Sequence, residues 1–246
     1  MTTPRVVAAE TLDHLATDDP VARRSRRDLV RVHRAMGTRS MVCRGWQALV
    51  SPQRAAAPLR ILELGAGDGT LLLGVARSMA ARWPQVQLSL LDRQDIATPA
   101  TLAGFAALGW SAQVLVADAL AWAARPLDAA SGRPARWDLI TTSLFLHHFE
   151  AGPLDLLLAA VAARTDRFFA CEPRRSWRAL AGSHLVGAIG ANRVTREDAV
   201  LSVHAGFCGG EISARWPQAS GPWQLHESAA GLFSHCFSAQ RAAAHP

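Results

Sequence analysis

The chain has 246 residues, of which 50% are hydrophobic and 19% charged, so it can bury a full core, and wholesale disorder is excluded. Its formal charge is +6, and all of the excess lies in residues 1–60, where eleven Arg face five acids; fifteen Arg balance fifteen acids in residues 61–246. The neutral remainder of the molecule gives no reason to expect a polyanionic partner such as nucleic acid.

Residue types and segments that the sequence lacks restrict the possible catalytic chemistry and the cellular location of the protein. The sequence has no Lys and no Tyr, which excludes Schiff-base chemistry, a P-loop lysine and a Tyr–Lys catalytic pair. The four cysteines form no C-x-x-C pair, and no acid/His cluster with ligand spacing is visible, so no metal is implied. No signal peptide is recognisable, and no apolar stretch approaches the roughly 20 residues of a membrane span, so we expect a cytoplasmic protein.

The N-terminal sixty residues are predicted to be helical. Asp18 or Asp19 can cap a helix that has Pro20 in its first turn and ends at Gly37, and a second short helix follows over about 40–50. We interpret residues 1–58 as an N-terminal helical cap. It is expected to fold over the carboxyl ends of the strands, close a ligand pocket there and point its arginines outward.

From Leu59 onward, short apolar runs alternate with helical segments. Five such runs occur, in LRILELG, VQLSLLD, AQVLVAD, WDLITTSLF and RFFACEP, and the chain closes with two strands around a Gly-containing turn. The pattern predicts an α/β fold with a doubly wound, mostly parallel, seven-stranded Rossmann-like sheet over residues 59–246. Residues 174–221 depart from the rhythm: helices are expected over 177–189 and 195–207, the latter capped by Thr195.

The turn after the first predicted strand carries a glycine pattern, Glu63-Leu-Gly65-Ala-Gly67-Asp-Gly69-Thr. Glycines at this place let the backbone turn sharply and approach a ligand, and the helix N-terminus beyond them offers free N–H groups. The dinucleotide fingerprint requires glycine at the first, third and sixth positions, whereas this chain has it at the first, third and fifth. A nicotinamide cofactor is therefore disfavoured.

With its acid two residues before the first glycine, this motif resembles the first motif of the class I S-adenosylmethionine-dependent methyltransferases of small-molecule type. The resemblance is specific over residues 59–172. It implies S-adenosyl-L-methionine as the cofactor, with the loop from Gly65 to Gly69, including Ala66 and Gly67, against its methionine portion. It also implies that Glu63 fixes the loop or a water near the cofactor amine.

Two acids end the second and third predicted strands. Asp92, followed by Arg93, is placed to accept hydrogen bonds from both ribose hydroxyls, although it could instead cap the following helix, as could Asp95. The resemblance implies that Asp118 holds the adenine amino group together with its apolar neighbours Ala117 and Ala119. Asp118 could also cap the short helix that begins there, and the two roles are compatible.

The segment after the fourth strand, from Thr142 and Ser143 to the His147–His148 pair, faces the methyl group in the family that the chain resembles. It lacks the Asn-Pro-Pro-aromatic or Asp-Pro-Pro-aromatic run of the nucleic-acid amino-methyltransferases. Small-molecule members often have a His or a His pair here, and a neutral imidazole could take a phenol proton. Alternatively, one His caps a helix and the other is solvated; at most one is expected to act.

The variable region 174–221 is expected to build much of the acceptor pocket. Its polar candidates are Arg174, Arg175, Asn192, Arg196, Asp198 and His204, and the expected apolar walls are Trp46, Trp177, Phe207 and Trp223. We therefore predict methyl transfer to an oxygen or carbon nucleophile of a small phenolic, polyketide-like or quinone-like acceptor. The alternatives are an RNA methyltransferase that uses the Arg-rich segment and a non-catalytic, cofactor-binding partner subunit.

Overall fold

In a computed structural model, which describes residues 3–51, 57–126, 136–218 and 221–242, seven strands and eight α-helices are present. The strands are β1 (Leu59–Leu64), β2 (Val86–Asp92), β3 (Trp110–Val116), β4 (Leu139–Ser143), β5 (Arg167–Pro173), β6 (Trp223–Ala230) and β7 (Ser234–Arg241). The helices are α1 (Pro20–Met36), α2 (Thr38–Leu49), α3 (Thr70–Met79), α4 (Pro99–Ala106), α5 (Ala119–Ala124), α6 (Ala151–Arg164), α7 (Trp177–His184) and α8 (Arg193–Ala205).

The strands form one sheet in the order β3-β2-β1-β4-β5-β7-β6. The first five strands are parallel, and β7 lies antiparallel between β5 and β6. β1, β4 and β5 are buried almost throughout, which explains their continuous apolar runs. The chain order reverses between β1 and β4, where ligands of open α/β sheets bind. The predicted doubly wound, mostly parallel, seven-stranded sheet is confirmed.

Helices cover the sheet on both faces. On one face α2, α3 and α4 contribute Trp46, Val75 and Phe105 to a core cluster. On the other face α5 and α6 contribute Trp122 and Leu157 to a second cluster. The two cores place the carboxyl ends of the parallel strands at one edge of a rigid layer, where the site is built.

The two N-terminal helices have different environments. Asp19 caps α1 by accepting hydrogen bonds from the N–H groups of Val21 and Ala22, and Gly37 ends the helix with a left-handed φ of 70°. The arginines at 23, 24, 27, 31 and 34 are exposed, as expected. By contrast, α2 is part of the core: Trp46 is fully buried and stacks on Trp83 and Trp110 at centroid distances of 5.9 and 6.5 Å. The expectation that both helices lie over the strand ends therefore needs correction for α2.

The region after β5 differs in detail from the sequence prediction. The helix expected over 177–189 is interrupted: α7 ends at His184, and a 3-10 turn follows over Val186–Ile189. The cap of α8 is Asn192, whose side chain accepts a hydrogen bond from Thr195 N at 2.8 Å, so the prediction of Thr195 as the cap was wrong. Among the described residues, no helix has the length and apolar character needed to cross a membrane.

Candidate active site

A cleft of about 1150 Å³ opens at the carboxyl ends of β1, β2 and β4. Its floor is the glycine loop after β1, and its walls come from α1, α7, α8 and the turn after β4. Residues 7–10 and 12–14 of the N-terminal segment cover one side. The volume exceeds the range of about 300–1,000 Å³ that is common for a single small-molecule site, so it has room for a cofactor together with an acceptor.

The glycine loop has the backbone that its sequence predicts. Gly65, Gly67 and Gly69 adopt φ values of 70°, 56° and 73°, a region that side chains disfavour. At Gly65 an added Cβ would lie 2.2 Å from the Phe145 ring, whereas at Gly67 it would meet nothing within 4 Å. Gly67 therefore faces open cleft, where a ligand can approach the backbone.

Glu63 is buried at the end of β1 and lines the cleft. Burial raises the pKa of its carboxyl to about 8, and the negative charge of Glu172 adds to the effect. No hydrogen bond of normal geometry reaches its Oε2 atom or the nearby Ser143 Oγ among the described atoms, although the Ser143 and Thr141 hydroxyls lie close enough to favour the carboxylate and oppose the rise in its pKa. A buried carboxyl oxygen without a partner is costly, and a cation or donor in the cleft would satisfy it.

The Asp92 carboxylate is fixed by two backbone groups. Its Oδ2 accepts a hydrogen bond from Gly67 N and its Oδ1 accepts one from Gln94 N, both at 2.9 Å. Each oxygen keeps lone pairs for a further donor, so the carboxylate can receive two hydroxyls of one ligand while bracing the glycine loop. The alternative role as a helix cap is not observed, because Thr98 caps α4.

The other predicted cofactor residues differ in whether their side chains face the cleft or are engaged elsewhere. Asp118 caps α5 with its Oδ1, which accepts from Leu120 N and Ala121 N at 2.8 and 3.0 Å, and it also lines the cleft. Arg93 turns toward the N-terminal segment and donates to the Asp13 backbone carbonyl. The predicted residues that line the cleft are Glu63, Gly65, Ala66, Gly67, Asp92, Arg93, Ala117, Asp118, Ala119 and Ser143.

Two predicted cofactor residues do not line the cleft. Gly69 is buried at the N-cap of α3, beneath the loop. Thr142 is fully buried, and its hydroxyl donates to Glu172 Oε1 at 3.4 Å. Thr142 and Ser143 are neighbours on β4, where successive side chains point to opposite faces, and Ser143 is the one that reaches the cleft.

His147 is buried between two carboxylates. Its Nδ1 lies 2.9 Å from Glu172 Oε2, and its Nε2 lies 3.3 Å from Glu10 Oε1. Desolvation lowers the pKa of His147, but hydrogen bonds and charge from both glutamates outweigh it and raise the pKa to about 9. The ring is therefore an imidazolium at neutral pH, so it is a poor proton acceptor.

Glu172 organises the turn after β4 and was missed by sequence reasoning. This fully buried carboxylate at the end of β5 accepts from Phe145 N and Leu146 N at 3.1 and 2.9 Å. The turn begins with Leu144, whose φ of 55° is unusual for a residue other than glycine. Only the fold brings Glu172 beside the histidine pair; its position next to Pro173 carries no sequence signal.

His148 has a more open environment than His147. It keeps 22% of its side chain exposed, and its Nδ1 lies 3.2 Å from Asp13 Oδ2. It lines the cleft together with Ser143 and Phe145. Both histidines line the cleft, but His147 is buried in an internal ion pair, whereas His148 keeps an exposed edge toward the space where a ligand would bind.

The expected aromatic walls were wrong: none of Trp46, Trp177, Phe207 and Trp223 lines the cleft. Trp46 and Phe207 are core residues, and Trp177 is 73% exposed. The apolar lining comes instead from several elements, namely Leu12, Leu29, Val30, Phe145, Phe149, Leu185, Val186, Ile189 and Phe233. Of the six polar candidates in the variable region, Asp198 alone lines the cleft.

Glu10, His147 and His148 also have the spacing of metal ligands, since one atom from each lies within 4.8 Å of the others. No sequence pattern marks this cluster, because Glu10 lies far from the two histidines along the chain. Each imidazole already has a carboxylate partner, and Glu10 Oε1 also accepts a hydrogen bond from Ser202 Oγ. The ligand atoms of the cluster are thus already engaged with one another and with Ser202.

No protein-family model matches the sequence, and a search of curated proteins finds no match. Solved structures do match. The plantazolicin methyltransferase BpumL in complex with SAH is 13% identical, with 92% of each chain covered and a TM-score of 0.62. An O-methyltransferase family protein from Burkholderia thailandensis is 15% identical (TM-score 0.58), and the pyocyanin biosynthetic protein PhzM is 17% identical (TM-score 0.54).

The matches cover 93% and 94% of this chain but only 62% and 60% of the Burkholderia protein and PhzM, so the chain spans about three-fifths of their length. At these identities the likeness shows a shared fold. The fold is that of the class I methyltransferases, as the motif resemblance predicts.

Proposed function

We propose that the protein is an S-adenosylmethionine-dependent methyltransferase acting on an oxygen or carbon nucleophile of a small phenolic, polyketide-like or quinone-like acceptor. The observation that carries the proposal is the combination, in one cleft, of a braced glycine loop, the Asp92 carboxylate and the unpartnered Glu63 Oε2. The fold shared with proteins described as methyltransferases, one of them solved with SAH, supports it.

The cleft residues fit the functional groups of this cofactor. Its ammonium would satisfy Glu63 Oε2, its ribose hydroxyls would donate to Asp92, and its adenine amino group would reach the Asp118 carboxylate. The open space at Gly67 allows close approach of its methionine part to the backbone. When bound, the cofactor supplies a methyl group made electrophilic by the sulfonium.

His148 is the proposed proton acceptor. It is the more exposed of the two histidines, and its Nδ1 faces Asp13, which leaves Nε2 as the nitrogen for the acceptor hydroxyl. The Nε2 atom of His148 would accept the proton of the acceptor hydroxyl as that oxygen takes up the methyl group that the bound cofactor would supply. His147 does not share this role because it carries its own proton between Glu10 and Glu172.

Apolar walls position the acceptor and exclude water. Leu29 from α1, Ile189 after α7 and Phe233 before β7 line the same cleft as His148. Such walls suit an aromatic or polyketide-like ring better than a polar one. Holding the nucleophile about 3 Å from the methyl carbon accounts for much of the acceleration available to a site of this kind.

The test is a methyl-transfer assay with radiolabelled S-adenosylmethionine and a panel of phenolic, polyketide and quinol acceptors. We expect SAH binding by calorimetry and transfer to at least one acceptor class. His148→Gln should abolish transfer to a hydroxyl while SAH binding stays within about twofold. Absence of SAH binding by the folded wild-type protein would refute the proposal, whatever the acceptor.

A further inference from the structure

The segment of residues 3–19, here called the N-terminal strap, crosses the cleft without joining either hydrophobic core. Its regular structure is limited to a 3-10 turn over Thr11–His14, none of whose residues is buried. Neither core cluster contains a residue of the strap. The strap is therefore held by polar contacts, which can be broken at smaller cost than an apolar core.

Several of these contacts are to α8, and others come from Arg175, Arg93 and the histidine pair. The Asp198 carboxylate accepts from Thr11 N at 2.8 Å and from Leu12 N at 3.0 Å, one amide on each oxygen. Val6 N donates to the His204 carbonyl at 3.1 Å, and Arg5 Nε donates to the Ala205 carbonyl at 2.7 Å. Asp198 is thus the side chain of α8 that holds the backbone amides of Thr11 and Leu12.

Between these anchors the strap presents one carboxylate to each histidine. Glu10 Oε1 lies 3.3 Å from His147 Nε2, and Asp13 Oδ2 lies 3.2 Å from His148 Nδ1. The opposite nitrogen of His147 is held from the sheet, by Glu172 at 2.9 Å. His147 therefore joins the strap to β5, and the contact of His148 with Asp13 exists only when the strap is in place.

We propose that the N-terminal strap is a gate whose Glu10 and Asp13 are the positioning residues of the histidine pair, so that the proton acceptor is assembled only while the strap is docked. The inference rests on the proposed function for the role of His148. Opening of the strap, with release of the Asp198 contacts, admits the ligands, and docking both covers them and orients the base.

The chemistry of imidazole explains why the acids matter. A neutral imidazole carries its proton on either nitrogen, and an acceptor at Nδ1 fixes it there and leaves the Nε2 lone pair for the acceptor hydroxyl. Without Asp13 the His148 tautomer and ring orientation are unspecified. The charged groups around His147 are Glu10 and Asp13 from the strap, Glu172 from β5, the adjacent His148, and Arg5, which donates to the His147 carbonyl at 3.0 Å.

The strap also contacts the part of the cleft next to Asp92, where the cofactor ribose is proposed to bind. Arg93, at the end of β2 beside Asp92, donates to the Asp13 carbonyl and lies 3.5 Å from its carboxylate. Glu10 and Asp13 line the same cleft as Glu63, Gly67 and Asp92. A ligand that contacts Asp92 therefore shares the cleft with Glu10 and Asp13 of the strap, and we expect cofactor binding to favour the docked strap.

Hydrogen–deuterium exchange of the full chain tests the gate without relying on activity. Asp198→Asn keeps one of the two acceptor oxygens, and Asp198→Ala keeps none. The exchange rate of the Thr11 and Leu12 amides should therefore rise in the asparagine variant and rise further, by at least about tenfold over the wild type, in the alanine variant. Exchange in α3 and α6 should not change. Glu197→Gln, an exposed neighbour on α8, is the matched control and should leave the strap as in the wild type. Unchanged strap exchange in Asp198→Ala, or a rise spread through β1 and β4, would overturn the gate.

The positioning role is tested by the imidazole resonances and by kinetics. In Glu10→Gln, His147 loses one of its two carboxylates, so its NMR titration midpoint should fall from about 9 toward the ordinary value of 6.5. Asp13→Asn should lower kcat at least about tenfold with little change in the Kd for SAH. An unmoved His147 midpoint, or an unchanged kcat in Asp13→Asn, refutes the assignment. If the wild type transfers no methyl group, the proposed function fails. The exchange and NMR results would still show whether the strap is held by Asp198 and whether Glu10 sets the protonation of His147.

Discussion

At the scale of single residues, Glu63 combines an unusual burial with an unsatisfied oxygen. Its folded pKa of about 8 lies above its ordinary value of 4.5, because burial disfavours the carboxylate. The folded state therefore keeps a proton that the unfolded chain loses. Linkage then requires the contribution of Glu63 to the stability of the ligand-free protein to fall as the pH rises from 4.5 to about 8. A residue that costs stability in this way is best explained by a ligand that uses it.

The first prediction follows from this proton. Near pH 7 the free Glu63 carboxyl is mostly protonated, and an ammonium beside it would favour the ionised form, so SAH binding should release close to one proton. Titration calorimetry in phosphate and in Tris should give binding enthalpies that differ by nearly the difference between the ionisation enthalpies of the two buffers. Glu63→Gln should remove the difference and flatten the fall of stability with pH. Equal enthalpies in the two buffers for the wild type would place the ammonium elsewhere.

The second prediction concerns Asp92. Hydrogen bonds to a charged group are worth roughly 1.5–3 kcal/mol each, and Asp92 holds Gly67 N in addition to its free lone pairs. Asp92→Ala should weaken SAH binding by at least about tenfold without unfolding the protein. Asp95→Ala, an exposed acid three residues on, is the control and should bind SAH like the wild type. A calorimetric Kd that is the same for both variants would contradict the role of Asp92.

Site residues that adjoin regular elements can be predicted from the sequence, whereas those that only the fold brings together cannot. Asp92 and the glycine loop follow strands directly, so their place at the carboxyl edge follows from the parallel sheet. Glu10 and Asp13 lie more than a hundred residues before the histidines that they contact, in a segment without periodicity, and no motif marks them. Neighbouring side chains on a strand point to opposite faces, so only one of Thr142 and Ser143 can line the cleft, and the sequence alone allows this conclusion.

At the scale of elements, α2 lies unusually close to the sheet. Gly45 faces β5, and a Cβ there would lie 2.1 Å from the Phe169 ring. Residue types predict an amphipathic helix over this segment but not its partner, since an apolar stripe packs equally well on a sheet face or over a cleft. The same limit explains the wrong aromatic walls: Trp46 and Phe207 are large and apolar, and the core uses them.

The third prediction tests this close packing. Alanine is the better helix former, yet Gly45→Ala should destabilise the protein by roughly 1–3 kcal/mol because the sheet leaves no room for a methyl group. Gly152→Ala, in α6, meets nothing within 4 Å and should be neutral or slightly stabilising. Urea unfolding of both variants supplies the comparison. Adding Phe169→Leu should recover part of the loss in Gly45→Ala; a Gly45→Ala protein as stable as Gly152→Ala would show that α2 is not held against β5.

At the scale of the whole molecule, the N-terminal residues belong to three different parts. The strap closes the cleft by polar contacts, α1 lines it with one face and exposes its arginines on the other, and α2 completes the core. The charge excess of residues 1–60 thus coincides with a surface helix rather than with a separate binding module. A boundary at residue 58, predicted from the change of sequence rhythm, separates two patterns of sequence but divides one hydrophobic core.

The last prediction distinguishes these parts by truncation. A chain that begins at Asp19, the cap of α1, loses the strap. It should keep nearly the wild-type core and unfold cooperatively, but it should transfer no methyl group.

A chain that begins at residue 51 also loses α2, and with it the Trp46 ring that stacks between Trp83 and Trp110 and donates to Thr141 Oγ1 at 3.2 Å. Removing a buried Trp side chain alone costs about 3–5 kcal/mol, a large share of the 5–15 kcal/mol that stabilises a domain. We therefore expect the shorter chain to lose its near-UV circular dichroism and its cooperative calorimetric transition. If it instead folds and binds SAH, α2 is a cap that the sheet does not need, and the placement of Trp46 in the core is wrong.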